Sequence, residues 1–312
     1  MNLKELKQHF IATLSSIYPA EEIESFYFLL LAAILNLKRI DVALNPQKEI
    51  VKDDLQKLNI SLEKLQQEIP IQYIIGSTEF FGLPFKVDKN VLIPRPETEE
   101  LVDWIISTTL NTPTNNQQPT TINILDIGTG SGSIAISLAK NLSDSKVFAL
   151  DISEKALTIA KENSELNKVS IEFIQQDILT LEDNVFASVT KQSAFNYEVT
   201  SSQTPRNNEV KLDIIVSNPP YVRELEKEEI NNNVLEYEPH LALFVDDQNP
   251  LLFYNAIADF AKTNLKPNGQ LFFEINQYLG KETVDLLKQK GFKNIELRKD
   301  IFGNDRMIRA RV

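Results

Sequence analysis

The sequence predicts an α/β fold: a largely parallel sheet with helices on both faces, preceded by a small helical bundle and a β-hairpin. Three observations carry that prediction. Between residues 122 and 275, short β-branched runs alternate with helical stretches, as they do where strands are joined by helical crossovers. The first 70 residues instead repeat apolar side chains at helical spacing, with no glycine before Gly76, which fits a bundle with short connections. Between these regions, residues 79–87 and 91–93 set aromatic and β-branched side chains around turn formers.

Taken in order, Leu3, Leu6, Phe10, Ile11 and Leu14 recur at helical spacing, and Pro19 closes that helix. A second helix is expected over 20–37, more apolar and so more buried. A third is expected over 48–58, and a short fourth opens at Ser61 and ends at Pro70. The hairpin, expected over 79–93, leaves through Pro94-Arg95-Pro96. A helix follows over 97–110, with acidic residues in its first turn, where the helix dipole favours them. Residues 111–121, rich in Thr, Asn, Gln and Pro, read as a solvated loop. Strands are then expected over 122–127, 146–150, 171–174, 212–216 and 270–275, and helices over 131–142, 153–167 and 250–265. Residues 182–211 are polar and aperiodic and read as a floppy surface insertion. The expected division is an N-terminal helical domain of residues 1–70, a hairpin linker of 71–96 and a larger domain of 97–312.

Composition excludes several kinds of chemistry. The 312 residues hold no cysteine, so there are no disulfides, thiolate nucleophiles or zinc–thiolate sites, and a reducing cytoplasm suits the chain. His9 and His240 are the two histidines and stand far apart, which argues against a paired-histidine metal site or a Ser-His-Asp triad. A net charge of −12 disfavours a broad phosphate-binding surface. Lys4, Glu5 and Lys7 interrupt what would be the core of a signal peptide. The apolar run over 26–35 falls short of the ~20 residues a membrane-spanning helix needs. A soluble, cytoplasmic monomer is expected, with no membrane association and no direct nucleic-acid binding.

The chemistry concentrates in a few places. Ile124-Leu125-Asp126-Ile127-Gly128-Thr129-Gly130-Ser131-Gly132 is a strand running into a glycine-rich turn and a helix. Such a turn lets backbone approach a ligand closely and presents free N–H groups at the helix start. Ser133 stands where a dinucleotide fingerprint would want its last glycine, which weakens a nicotinamide reading. Asp151 ends the next strand, about 20 residues on, where a carboxylate can accept from both hydroxyls of a ribose. Capping the following helix is the plainer alternative, and the nearby glycine turn favours ribose. After the third strand, Asp177 can bond an adenine amino group while Ile178 packs on the ring or donates its N–H. An ordinary turn accounts for that pair equally well.

The most specific element is Asn218-Pro219-Pro220-Tyr221, directly after the strand over 212–216. Such a tetrapeptide arises by chance in roughly one chain in a thousand of this length. It sits at the carboxyl end of a parallel strand, where open α/β sheets bind ligands. A planar amide or exocyclic amine nitrogen is a weak nucleophile because its lone pair is delocalised. The Asn218 side-chain oxygen and the Pro219 carbonyl can each accept one of its N–H bonds. Two acceptors stabilise the positive charge that grows on nitrogen and turn its lone pair toward an incoming group. Tyr221 can stack on the flat group. Together with a nucleoside-binding turn, this points to methyl transfer from S-adenosyl-L-methionine, whose activated sulfonium requires positioning rather than a strong base or a metal.

With these elements in place the chain resembles the class I methyltransferases. Gln72-Tyr73-Ile74-Ile75-Gly76, Glu79-Phe80-Phe81-Gly82, and Val91-Leu92-Ile93-Pro94-Arg95-Pro96-Glu97-Thr98-Glu99 narrow the resemblance to the release-factor glutamine methyltransferases. It extends through Glu238-Pro239, Ala242-Leu243, Gly269 and Glu274-Ile275, and so covers most of the chain. In that family a small N-terminal helical domain and a hairpin hinge precede a Rossmann-like catalytic domain. The substrate there is the glutamine of the Gly-Gly-Gln motif in bacterial class I peptide chain release factors.

The resemblance implies cofactor contacts at Gly128, Thr129, Gly130, Ser131, Gly132, Asp151, Asp177, Ile178 and Asn218. It implies substrate contacts at Asn218, Pro219, Pro220 and Tyr221, with Asn218, Pro219 and Tyr221 catalytic. Arg95, Glu97 and Thr98 would lie near the cofactor's methionine end, or form a helix start with a salt bridge. The chain departs from the family pattern in three places: Ile178 replaces a frequent aromatic residue, Asp246-Asp247-Gln248-Asn249-Pro250 replaces a glycine-containing turn, and Asn276 replaces a usual glycine. Two other functions compete: an adenine-amino methyltransferase acting on DNA or RNA, which would need a basic groove, and a non-catalytic scaffold that docks on translation factors.

Overall fold

A computed structural model describes residues 1–111, 121–181 and 210–312. The loop read over 111–121 and the insertion read over 182–211 therefore lie mostly outside the described residues. By its contacts the chain divides into two compact units. One is Met1–Ser77 with Ile230–Tyr237, and the other is Thr78–Glu229 with Glu238–Val312.

The first unit is helical. Helix α1 (Leu3–Leu14) opens with a reciprocal cap in which the Asn2 side chain accepts from the Glu5 N–H and Glu5 accepts from the Asn2 N–H. Such a box satisfies two of the backbone donors that a helix start leaves free. Leu3, Leu6, Phe10 and Leu14 form its buried stripe, while Ile11 points outward. They pack on helix α2 (Ala20–Leu35), where the buried Tyr27 hydroxyl donates to the Leu3 carbonyl at 2.8 Å.

Two elements here differ from those expected. A short helix α3 (Arg39–Leu44) precedes the next element, and the expected third and fourth helices are one, α4 (Lys52–Gln66). Ser61 does not start a helix: it lies inside α4, where its hydroxyl donates to the Lys57 carbonyl one turn back at 3.0 Å. A single turn of helix, α5 (Ile71–Ile75), follows Pro70.

The hairpin is short, with β1 (Ser77–Phe80) and β2 (Leu83–Lys86). Val91, Leu92 and Ile93 were expected to belong to it but form no strand. The Ile93 N–H finds a side chain instead of a ladder, donating to Glu238 at 3.2 Å. Helix α6 (Pro96–Leu110) then leads to the sheet.

Among the described residues a separate pair is formed by β7 (Val222–Arg223) and β8 (Phe244–Val245), and the main sheet has seven strands in the order β10 (Lys293–Lys299), β11 (Asp305–Arg311), β9 (Leu265–Glu274), β6 (Leu212–Ser217), β3 (Ile122–Ile127), β4 (Ser145–Asp151) and β5 (Ile171–Gln175). The five inner and first-edge strands are β3, β4, β5, β6 and β9, all parallel. Strands β10 and β11 close the other edge in antiparallel pairing. Strand β9 begins five residues before the expected start at 270, and this antiparallel edge was not anticipated.

Successive residues of a strand face opposite sides, and the core divides accordingly. Leu125, Ile127, Phe148 and Phe273 join one apolar cluster with Tyr254 and Ile257 of the helix Leu252–Asn264. Ile124, Val147, Val216 and Phe272 join another with Trp104 of α6 and Leu138 of the helix Ser133–Asn141. Both faces are thus buried, as a parallel sheet requires. No helix of the described residues is long and apolar enough to cross a membrane.

Candidate active site

The strand order places a reversal at β3. The chain runs outward through β4 and β5, then returns to lay β6 on the opposite side of β3. At such a point two successive loops diverge and leave a crevice at the carboxyl ends of the strands. Here those loops are the glycine turn after Ile127 and the run Asn218-Pro219-Pro220-Tyr221 after Ser217. Ile127 and Ser217 are register partners, and the Ser217 hydroxyl donates to the Ile127 carbonyl at 2.7 Å.

The glycine turn rests on two buried carboxyl groups. Asp126 is fully buried; one of its oxygens accepts from the Thr129 hydroxyl at 2.7 Å and from the Ala135 N–H at 3.2 Å. Its other oxygen, Oδ1, has no partner among the described residues. Burial raises its pKa to about 7, against the pull of those two hydrogen bonds. Asp151 accepts from the Gly130 N–H at 2.8 Å with one oxygen and from the Ser153 N–H at 2.9 Å with the other. Burial raises its pKa too, offset in part by the backbone donors.

Asn163, on the helix Glu154–Asn167, braces the turn from behind. Its amide donates to the carbonyls of Ser131 (2.9 Å) and Lys86 (3.0 Å) and accepts from the Lys86 N–H at 2.7 Å. Gly132 has φ +82°, and a Cβ there would lie 2.9 Å from Ile136 Cδ1 and 3.2 Å from Ala160 Cβ. Only glycine allows that helix to pack so closely.

A cavity of about 270 Å³ opens where the loops diverge. Of the residues singled out from sequence, Gly128, Gly130, Asp151, Asp177, Ile178, Asn218, Pro219 and Pro220 line it. Val91, Leu92, Pro239 and Leu241 add apolar wall. A Cβ added at Gly128 or Gly130 would meet nothing within 4 Å. The two glycines therefore leave open space rather than fill it.

Thr129, Ser131, Gly132 and Tyr221 are not on the wall. The first three build the turn from below. The Tyr221 ring packs against the apolar cluster of Leu125 and Tyr254, and its hydroxyl donates to Glu274 Oε1 at 3.1 Å. Arg95, Glu97 and Thr98 also stand off the wall. Arg95 pairs with the buried Glu238 at 2.6 Å, and Glu238 also takes the Ile93 N–H, so one carboxylate fixes the chain leading into α6.

Thr98, expected near the cofactor's methionine end or at a helix start, is joined to Glu274, for which the sequence suggests no role. The Thr98 hydroxyl donates to Glu274 Oε2 at 2.7 Å, and the Asn218 amide nitrogen lies 3.4 Å from that hydroxyl oxygen. Burial raises the Glu274 pKa, opposed by Thr98, Arg306 and Tyr221. Burial and the Glu274 charge raise the Tyr221 phenol. Asn276 donates to the Tyr221 carbonyl at 2.9 Å and to Glu226 at 2.8 Å, and accepts from the Tyr278 N–H at 2.9 Å. A polar residue on the apolar face of a helix, as Asn163 is, was the available signal for the brace behind the turn.

The sequence matches two family models: a methyltransferase domain over residues 120–275 and the PrmC N-terminal domain over residues 5–76. It is 52% identical over 310 residues to the release factor glutamine methyltransferase of Flavobacterium psychrophilum, covering 99% of each chain. It is 41% identical over 298 residues to the protein of that name from Bacteroides thetaiotaomicron, covering 96% of each. For the one from Streptococcus pneumoniae the figures are 37% over 310 residues, 99% of this chain and 98% of that one. Likeness of this degree runs through the helical region, the hairpin and the sheet alike, and the chain belongs to the release factor glutamine methyltransferase family.

Proposed function

We propose that this protein transfers a methyl group from S-adenosyl-L-methionine to the side-chain amide nitrogen of the Gly-Gly-Gln glutamine in class I release factors, with Asn218 and Pro219 as the acceptors that hold that amide. One observation carries the assignment of residues. Asn218 and Pro219 share a cavity with Gly128, Gly130 and Asp151, and neither the Asn218 Oδ1 nor the Pro219 carbonyl has a partner among the described residues.

The cavity fits the cofactor. Gly128 and Gly130 leave room where backbone must come close, Asp151 and Asp177 offer carboxylates to a ribose and a base, and Ile178 gives an apolar surface for a ring. Bound there, the cofactor supplies a methyl group already activated on a sulfonium. The protein's own residues do the rest. The Asn218 Oδ1 and the Pro219 carbonyl each accept an N–H of the substrate amide, favour the positive charge that develops on nitrogen and turn its lone pair to one side. Val91, Leu92 and Pro239 give the cavity an apolar wall, and a lower local dielectric strengthens both hydrogen bonds.

Asn218→Ala is the direct test. Turnover on a release factor should fall ~100–1000-fold, the scale on which a single transition-state hydrogen-bonding group is felt, with cofactor affinity nearly unchanged. Turnover within about tenfold of wild type removes Asn218 from this role.

The helical unit is the surface we assign to release-factor recognition, because a glutamine side chain alone is too small and common to select one protein class. Leu29 and Ile40 are exposed apolar residues there. Replacing them with Asp should raise KM for an intact release factor and leave transfer to a short Gly-Gly-Gln peptide unchanged. A cytoplasmic setting, where release factors act, suits a chain without cysteine.

A further inference from the structure

We propose that Thr98 and Glu274 are positioning residues that hold the Asn218 amide in the one orientation offering Oδ1 to the substrate; this rests on the role given to Asn218 above. An asparagine amide has two ends of similar size, an acceptor and a double donor, and a turn of half a revolution exchanges them. Only the first presents an acceptor to the substrate's N–H.

The choice is made by the direction of a short hydrogen-bond chain. Thr98 is buried, and its hydroxyl has one proton. That proton is committed to Glu274 Oε2 at 2.7 Å. The hydroxyl oxygen can then only accept, and what faces it is the Asn218 Nδ2 at 3.4 Å. Reversing the amide would set Oδ1 against the Thr98 oxygen with no proton between them. Because the amide is planar, fixing Nδ2 toward Thr98 leaves Oδ1 as the opposite end.

Glu274 is well placed to enforce this direction. It is buried at the end of β9, and both carboxylate oxygens accept: Oε2 from Thr98 and Oε1 from the Tyr221 hydroxyl at 3.1 Å. The first and last residues of Asn218-Pro219-Pro220-Tyr221 are therefore referred to a single carboxylate, one through Thr98 and one directly. Burial works against the charge on this carboxylate, and Arg306, on the neighbouring strand, opposes that effect together with the two hydrogen bonds.

Thr98→Val keeps the shape and removes the hydroxyl. Turnover on a release factor should fall about 10–100-fold, the penalty for losing alignment of a reacting group, while KM and the calorimetric affinity for S-adenosyl-L-methionine stay near wild type. Thr98→Ser restores the hydroxyl and should restore turnover. Glu274→Gln, which replaces one acceptor with a donor, should lower turnover in the same way, and it serves as the test should Thr98→Val not fold. A fall of less than about fivefold in the folded variant, a loss of cofactor affinity in step with turnover, or failure of Thr98→Ser to recover would overturn the proposal. Asn218→Ala measured alongside separates the two readings. If it stays active, the role of Asn218 fails; if it is inactive while Thr98→Val is active, only the orientation by Thr98 and Glu274 fails.

Discussion

Asp151 binds the Gly130 N–H at 2.8 Å with the same carboxylate that takes the Ser153 N–H at 2.9 Å, so the end of β4 fixes the glycine turn after β3. The residue read from sequence as a ribose acceptor is also a brace for the backbone beneath. Asp151→Ala should weaken S-adenosyl-L-methionine binding by about 1–3 kcal/mol, the range for lost charge-assisted hydrogen bonds. Asp151→Asn, which keeps an acceptor for one of the two amides, should lose less. Titration calorimetry on folded variants checks this, and unchanged affinity for Asp151→Ala would leave the brace as its whole role.

Gly130 and Gly132 should respond differently to the same added methyl. At Gly132 an alanine meets both a positive φ and the side chains of Ile136 and Ala160, so stability should fall by more than the ~1–2 kcal/mol of the backbone term alone. At Gly130 the backbone term applies without the clash, and the methyl points into open space. Gly130→Ala should therefore be the more stable variant in urea and the poorer cofactor binder. Equal denaturation midpoints would refute the packing role of Gly132.

The Asp126 carboxyl gives the fold a pH dependence of definite sign. Its pKa rises from 3.8 to about 7 in the folded chain. Between those values the native state keeps a proton that the unfolded chain has released, so stability falls as pH rises through this window and levels off above about 7. Asp126→Asn removes this contribution, although Asp151 and Glu274, raised in the same direction, remain. The drop in urea midpoint from about pH 5 to about pH 8 should be smaller in Asp126→Asn than in wild type. Parallel slopes would show that Asp126 is ionised across the range.

Asn163→Ala should be costly for a residue with no substrate contact. It strands the buried Ser131 carbonyl, and it frees the part-buried N–H and carbonyl of the exposed Lys86; a buried polar group left unpaired costs about 1–3 kcal/mol. A loss of about 2–3 kcal/mol is expected, with faster hydrogen exchange at Lys86. A loss under about 1 kcal/mol would mean that water replaces the brace.

The sheet was legible because its strands announce themselves twice, by β-branched content and by the helices between them. The elements misread were those whose apolar residues lack a period of their own. Val91, Leu92 and Ile93 look like a strand, yet the Ile93 N–H goes to Glu238, a partner 145 positions away. Ser61 looks like a helix start and is an interior residue bonded back to Lys57. At the site, Gly128, Gly130, Asp151 and Asn218 stood out because turn chemistry and strand-end position are local properties. Thr98 and Asn163 are visible as residues, but their pairings with Glu274 and Ser131 span 176 and 32 positions, and no local pattern encodes a partner that distant.

The pairing of Ile127 with Ser217 makes the sheet a ruler for the two loops that bound the cavity. The glycine turn and the run Asn218-Pro219-Pro220-Tyr221 each leave from one of two adjacent strands, so their separation is set at its root by the interstrand spacing of ~4.8 Å. That spacing is a property of backbone hydrogen bonding and does not depend on which side chains the loops carry. Sequence drift in the walls at 90–92 or 239–242 can therefore reshape what the cavity admits while the separation of the two loop roots stays constant.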